Sequence, residues 1–434
     1  LQNLIKDALK SHRADYVEIR IEDHERTKIS LRGKNVDELA TSRTVGGCVR
    51  ALVSGGWGFV SFNDIANLKD HVALAVSQAK LVSRVCGDNL LAPVEPITDT
   101  VVPALVVDPR SISLASKRAL LEEYNDIMLS YSPKIQTTAV RYRDTYSKKY
   151  FANSEGTYIE QEHCDVGASF TAIAREGDNV QQMLVSAGGV DGYQCIKGHH
   201  DEVRECARRA VENLSAAPVD AGQYTVVLDP GLAGVFVHEA FGHLSESDFI
   251  YENSMLREIM VLGKQFGSPI LNIADGAAVP GHRGSYKYDD EGVPSSVTPL
   301  IRDGVLVGRL HSRGTAAKMC ERPTGNARAI NYRFQPIVRM TNTYIENGET
   351  TMEMFTFSAM EAFMIRKGKV AERVRNVVLT GNVFETLMHI DAIGNDRKMN
   401  DGGVGGCGKG QQFPLPVSDG SPHIRIKNVV VGGN

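Results

Sequence analysis

Apolar residues in the first half of the chain follow two rhythms. Tyr16 to Glu22 alternates apolar and polar side chains as a half-buried strand does. Thr27 to Leu31 and Val45 to Val53 read the same way, with Gly46-Gly47 and Gly55-Gly56 marking tight turns or bulges. Before and after them the period lengthens to that of a helix. Asn3 to Ser11 predicts a short one, and Ile65 to Ser83 an amphipathic one through Ile65, Leu68, Val72, Val76 and Ala79. Ser113 to Ser130 and His200 to Leu214 predict two more. Between those two, Ile135 to Tyr142, Tyr146 to Phe151, Thr157 to Glu162, Gly167 to Ala174 and Val180 to Ala187 alternate again, separated by turn residues such as Asn153-Ser154-Glu155-Gly156, which predicts an antiparallel meander.

Pro93 to Pro109 is a proline-punctuated connector, and Ser215 to Gly222 reads as a linker. Beyond it, Tyr224 to Leu228 predicts a strand leading into a helix that starts after Asp229-Pro230. Phe249 to Lys264 predicts a further helix. The rest is short strands among glycines: Leu271 to Ala274, Leu306 to His311, Ile337 to Met340 and Val377 to Thr380. The expected fold is α+β, with a mixed N-terminal domain built on an antiparallel sheet over residues 1–220 and a β-rich C-terminal domain, sandwich or barrel-like, over 221–434.

Composition adds bounds. At 434 residues the chain is too long for one ordinary core. A hydrophobic fraction of 42% and a charged fraction of 23% suit a globular protein, and a net charge of −4 offers no footprint for nucleic acid or an anionic membrane. No apolar run reaches the 18 residues of a membrane span and the N-terminal residues lack a signal-peptide pattern. The numbered sequence opens at Leu1 rather than Met, so a few native residues are expected before it. Seven scattered cysteines with no CxxC pair argue against a disulfide framework and for a reducing compartment, the cytoplasm by default.

Candidate chemistry concentrates at His238-Glu239-Ala240-Phe241-Gly242-His243. Two imidazoles and a carboxylate so close are the material of a hydrolytic zinc site, with Glu239 placed to serve as general base. The histidines stand at i and i+5, which an undistorted helix separates by about 140°. Something must bend, and Gly242 is the residue best able to end or widen the last turn. Taken alone, the residues leave open a metal site or two ordinary core and surface histidines. Elsewhere, His199-His200 reads as an exposed helix start, His163-Cys164 as part of a strand, and Asp289-Asp290-Glu291 as a solvated turn.

The sequence His-Glu-Ala-Phe-Gly-His resembles the HExxxH motif of the TldD half of the TldD/PmbA metalloproteases. Further stretches match that family's pattern in its order: Gly281 to Pro294, Leu300 to Gly308, Pro323-Thr324-Gly325-Asn326, Arg339 to Thr343 and the glycine-rich run about Cys407. The likeness covers most of 220–434 and, more loosely, the N-terminal half. It departs where only Glu349 to Met354 separate two motifs that the family spaces more widely, through a shortened loop or one this sequence omits.

A catalytic zinc takes three protein ligands and a water. Glu246 and Asp248 are local candidates for the third, and on sequence alone Cys407 is a buried or idle thiol. The resemblance implies Cys407 instead. It further implies a Zn2+ peptidase with metal ligands His238, His243 and Cys407 and with Glu239 as catalytic base, acting on unfolded or flexible peptides. A dimer is also implied, either a homodimer or a heterodimer with a PmbA-like (TldE) subunit. A non-catalytic peptide-binding or regulatory subunit with a structural metal is the alternative, though no cluster of cysteines offers a closed site. The run Gly403 to Lys409 imitates a phosphate loop, but Gly410 stands where Ser or Thr would hold magnesium, and Pro414 and Pro416 forbid a following helix.

Overall fold

The computed structural model describes residues 1–432 apart from 86–87, 268, 347–352, 383–385 and 387–388. The expectation of a shortened loop falls on residues 349–352, outside the described residues, as does Cys86.

The N-terminal half is one large sheet. Strands β1 (Tyr16–Arg32), β2 (Asn35–Val53), β3 (Gly56–Phe62), β4 (Thr98–Val101), β5 (Ile135–Asn153), β6 (Tyr158–Glu176) and β7 (Asn179–Gly189) run in the order β3-β2-β1-β5-β6, with β7 antiparallel and β4 parallel to β6. The β5-β6-β7 portion is the expected meander. The strands are longer than the alternation suggests: Tyr16 to Glu22 and Thr27 to Leu31 belong to one strand, as do the paired segments in β5 and in β6. Polar stretches such as His24-Glu25-Arg26 look like breaks, yet backbone pairing to both β2 and β5 carries β1 through them.

Four helices cover the sheet. α1 (Gln2–Leu9) and α2 (Leu68–Val82) share a core with β1 to β3, while α3 (Leu114–Ser130) and α4 (His200–Asn213) share one with β5 to β7. Ser113 caps α3, accepting from the Ser116 amide at 3.1 Å.

In the C-terminal half two open sheets dominate. Six strands run in the order Val305–Leu306, Val297–Arg302, Asn272–Gly276, Asn342–Glu346, Ser418–Ser421 and Lys398–Asn400. Five more form a second sheet about Ile424–Gly432, which pairs with Gly222–Leu228, Val378–Asn382 and Ile390–Ile393. The fold is α+β as expected, and among the described residues no sheet closes into a barrel. Helix α5 (Pro230–Val237) packs on the first sheet and reaches the second, so Phe236, Val237 and Phe241 share a core with Ile273, Ile345, Leu379 and Ile424. Phe249 to Lys264, expected as one helix, breaks into Ser247–Glu252 and Ser254–Ile259 because the Asn253 side chain caps the second, accepting from the amides of Met255 and Leu256. No helix of the described residues is long and apolar enough to cross a membrane.

Asp289-Asp290-Glu291 is not a solvated turn. All three are buried, at 6%, 6% and 4% exposure, because both halves of the chain supply partners for them. Asp290 meets Lys149 at 2.7 Å and Arg20 at 3.7 Å, and Glu291 meets Arg50 at 2.7 Å and the Arg313 amide at 2.8 Å. Asp289 accepts from the amides of Glu291, Val293 and Ala327. The triplet clasps the N-terminal sheet to the C-terminal half.

Candidate metal centre

Asp229 caps α5, its carboxylate accepting from the Leu232 amide at 2.8 Å, and Pro230 occupies the first turn, where its missing N–H costs nothing. The helix then widens. His238 to Gly242 form a π turn, closed by the His243 amide donating to the His238 carbonyl. An i→i+5 turn stacks residue i+5 near residue i, which is how histidines five apart come to face one another. Their rings meet edge to face, centroids 5.5 Å apart at 83°.

Gly242 has ordinary helical angles, φ −57° and ψ −49°, so its backbone freedom does not make the bend. Glycine is needed there because a Cβ would lie 2.0 Å from Met340 Sδ. Gly234, one turn before His238, is likewise pressed by Asp419, whose Oδ1 a Cβ would meet at 2.5 Å. Gly242→Ala is expected to cost about 1–3 kcal/mol through overpacking and to loosen the π turn. Denaturant unfolding of the variant beside Gly242→Ala/Met340→Val, which removes the obstructing sulfur, checks it: the second change should restore most of the loss.

Cys407 arrives from the far end of the sequence on the short strand Cys407–Lys409, which pairs with Gln412–Leu415 rather than feeding a helix, as a phosphate loop would. Its Sγ lies 3.3 Å from His243 Nε2, and donor atoms of His238, His243 and Cys407 fall within 4.8 Å of one another. Among the described residues this is the group of His, Cys, Asp and Glu side chains close enough to share an ion. A tetrahedral zinc would hold sulfur and nitrogen roughly 3.6 Å apart, so the 3.3 Å separation fits one. Among the described residues the Nδ1 of His238 is buried without a hydrogen-bond partner.

The electrostatics suit a metal. Burial pushes the Cys407 thiol up, but the hydrogen bonds and charges of His238 and His243 outweigh it and hold the group down at about 5. Burial works against charge on His243 too, yet Cys407 and Glu246 lift it to about 10; His238 is raised chiefly by Cys407 against the same burial. The centre therefore presents a thiolate, the form that ligates metals. Glu239 points to the open side, its side chain 52% exposed and Oε2 3.8 Å from His243 Nε2.

The two local candidates for a third ligand lie elsewhere. Glu246, wholly buried, accepts from His243 Nδ1 at 3.0 Å, on the ring nitrogen facing away from Cys407. Asp248 accepts from Lys409 Nζ at 2.6 Å. His199 and His200 sit at the start of α4 and His163-Cys164 within β6, apart from the centre.

Sequence reading missed Arg283, Lys409 and Asp419. Arg283 makes a two-pronged pair with Asp165 of β6, Nε–Oδ1 2.6 Å and Nη2–Oδ2 2.9 Å. Its third nitrogen donates to the carbonyls of Asp401, Gly403 and Gly405, so it moors the glycine run preceding Cys407 to the N-terminal sheet. Asp419, beneath His238, is lifted by burial to about 6 although His238 pulls the other way.

Three sections of the chain match the PmbA/TldA metallopeptidase description: domain 1 over residues 17–81, the central domain over 107–217, and the C-terminal domain over 221–355 and 352–433. A metalloprotease of Synechocystis is 48% identical over 97% of this chain and 95% of its own length. The zinc metalloprotease TldD homolog of Saccharolobus solfataricus is 30% identical over 69% of this chain and 72% of its own. Among solved structures, TldE from Thermococcus kodakarensis superposes with a TM-score of 0.75 at 18% identity, covering 100% of this chain and 99% of that one, a likeness of fold.

Proposed function

Because the chain belongs to the TldD/PmbA metallopeptidase family, we propose that it is a zinc-dependent peptidase cleaving unfolded or flexible peptides. The observation that carries this is the convergence of His238, His243 and Cys407, with Glu239 open to solvent beside them. In this reading residues 221–434 carry the centre and residues 1–220 wall it.

His238, His243 and Cys407 would hold the ion, which when bound supplies a Lewis acid for the scissile carbonyl and a water of lowered pKa. Three donors rather than the four of a closed structural site leave room for water or substrate. Glu239 takes a proton on its carboxylate and returns it to the departing amine nitrogen. An extended peptide could lie against the short strands here by main-chain pairing. The dimer, with a second copy or a TldE-like subunit, and a cytoplasmic location complete the proposal.

Metal analysis of the purified chain, combined with cleavage of an unstructured peptide with and without chelator, tests it. One zinc per chain and chelator-sensitive, zinc-restored cleavage are expected; cleavage indifferent to chelation would refute it.

Loading should also release protons. In the metal-free centre His243 stays protonated up to about pH 10, whereas Cys407 is already ionised above about pH 5. Binding must displace the imidazolium proton, so apparent affinity climbs with pH until about 10. Calorimetry in buffers of different ionisation heat measures the release, and a release that has vanished by pH 8 would contradict it.

A further inference from the structure

We propose that Glu246 and Lys409 form a lock that fixes His243 for the metal, making both of them positioning residues; this rests on the metallopeptidase reading above. The ring of His243 is held at both nitrogens. At Nε2 it meets Cys407 Sγ at 3.3 Å, and at Nδ1 it meets Glu246 Oε2 at 3.0 Å.

Glu246 is a wholly buried carboxylate, and its position is fixed from two directions. The Met340 amide donates to Oε1 at 3.3 Å, and Lys409 Nζ stands 3.1 Å from Oε2. Lys409, 7% exposed, donates to the Asp248 carboxylate at 2.6 Å and the Val338 carbonyl at 2.8 Å and forms an ion pair with Glu246. The Phe249 ring lies 4.0 Å from the ammonium.

The strand Cys407–Lys409 therefore grips one histidine twice, directly through its thiol and indirectly through an ammonium that fixes the carboxylate behind the ring. A carboxylate on Nδ1 keeps the proton there, so the proton an arriving ion would displace is the one on Nε2, whose lone pair would then face the ion. Burying a carboxylate and an ammonium is costly unless each is fully matched. Met340, whose sulfur presses on Gly242, supplies the amide that bonds Glu246, which ties the lock to the π turn.

The test measures zinc loss from the loaded full-length chain to excess chelator, together with the visible absorption of the cobalt-loaded chain, for Glu246→Gln, Lys409→Met, Lys409→Arg and the double variant Glu246→Gln/Lys409→Met. Glu246→Gln and Lys409→Met should lose zinc about 10–100 times faster with a shifted cobalt spectrum, and Lys409→Arg should recover most of the retention. The double variant should be no worse than the worse single change, because the two residues act as one unit. It also removes the charge of Glu246 along with that of Lys409, leaving only the partly exposed Asp248 without its cation, so it decides the matter if Lys409→Met fails to fold. Zinc retention within twofold of the parent in the folded Gln and double variants, with an unchanged cobalt spectrum, would overturn the lock. A parent chain that holds no zinc would instead overturn the metallopeptidase reading and this inference with it.

Discussion

Glu239→Gln is expected to lower kcat for an unstructured peptide by about 10²–10⁴-fold, the range for a lost general acid–base group, while zinc content stays at the parent level. The geometry separates the two effects. Glu239 is not one of the three converging donors, and its half-exposed side chain forms no buried pair whose loss would destabilise the chain. The amide is isosteric and neutral, so peptide binding should persist, but no carboxylate remains at that position to accept a proton. KM should change little. Turnover within tenfold of the parent would remove Glu239 from the chemistry, and loss of zinc would give it a structural part instead.

Arg283→Met is expected to cost about 3–5 kcal/mol, because it leaves the Asp165 carboxylate buried without its principal partner. Arg143, 3.2 Å from Asp165, donates through one nitrogen and does not replace a two-pronged guanidinium. The Arg283 carbonyl contacts are lost as well, so the glycine run before Cys407 loses its mooring and zinc retention should fall with stability. Burial raises Asp165, but Arg283 overrides that and holds it near 2. Its folded value is depressed, so the contribution is whole above about pH 4, the ordinary carboxylate range, and fades as pH falls towards 2. Denaturant unfolding at pH 7 and pH 3 checks both magnitude and sign. Adding Asp165→Leu should recover much of the loss, since an apolar pair can replace a buried ion pair; no recovery would mean that the carbonyl contacts, not the charge, dominate.

How much could be read in advance depended on the range of each interaction. The capped helix after Asp229-Pro230 and the need for distortion between His238 and His243 follow from local geometry, and the π turn supplies that distortion. The reason for Gly242 did not follow, because Met340, almost a hundred positions later, sets it. Cys407 lies 164 residues from His243, and nothing near it marks a ligand; only the resemblance pointed there. Lys409 was hidden in a run that imitates a phosphate loop. Asp289-Asp290-Glu291 misled because their matching cations lie more than a hundred residues upstream, and an acidic triplet beside glycine looks solvated until those cations are placed. Strand lengths were underestimated for a related reason: where β1 leaves the core its faces turn polar, and pairing on both edges is invisible to a one-dimensional pattern.

The clasp at Asp289 to Glu291 bears on how the protein is made. Synthesis runs from the amino end, so Arg20, Arg50 and Lys149 emerge before the acids they meet. Lys149 and Asp290 are 141 positions apart, an interval of about 7–28 s at ordinary elongation rates. Through that interval Arg20 and Arg50 already hold Glu22 and Glu18 of their own sheet, whereas the acid that Lys149 meets is still untranslated, so the sheet can form first and the clasp closes only once residue 290 has emerged.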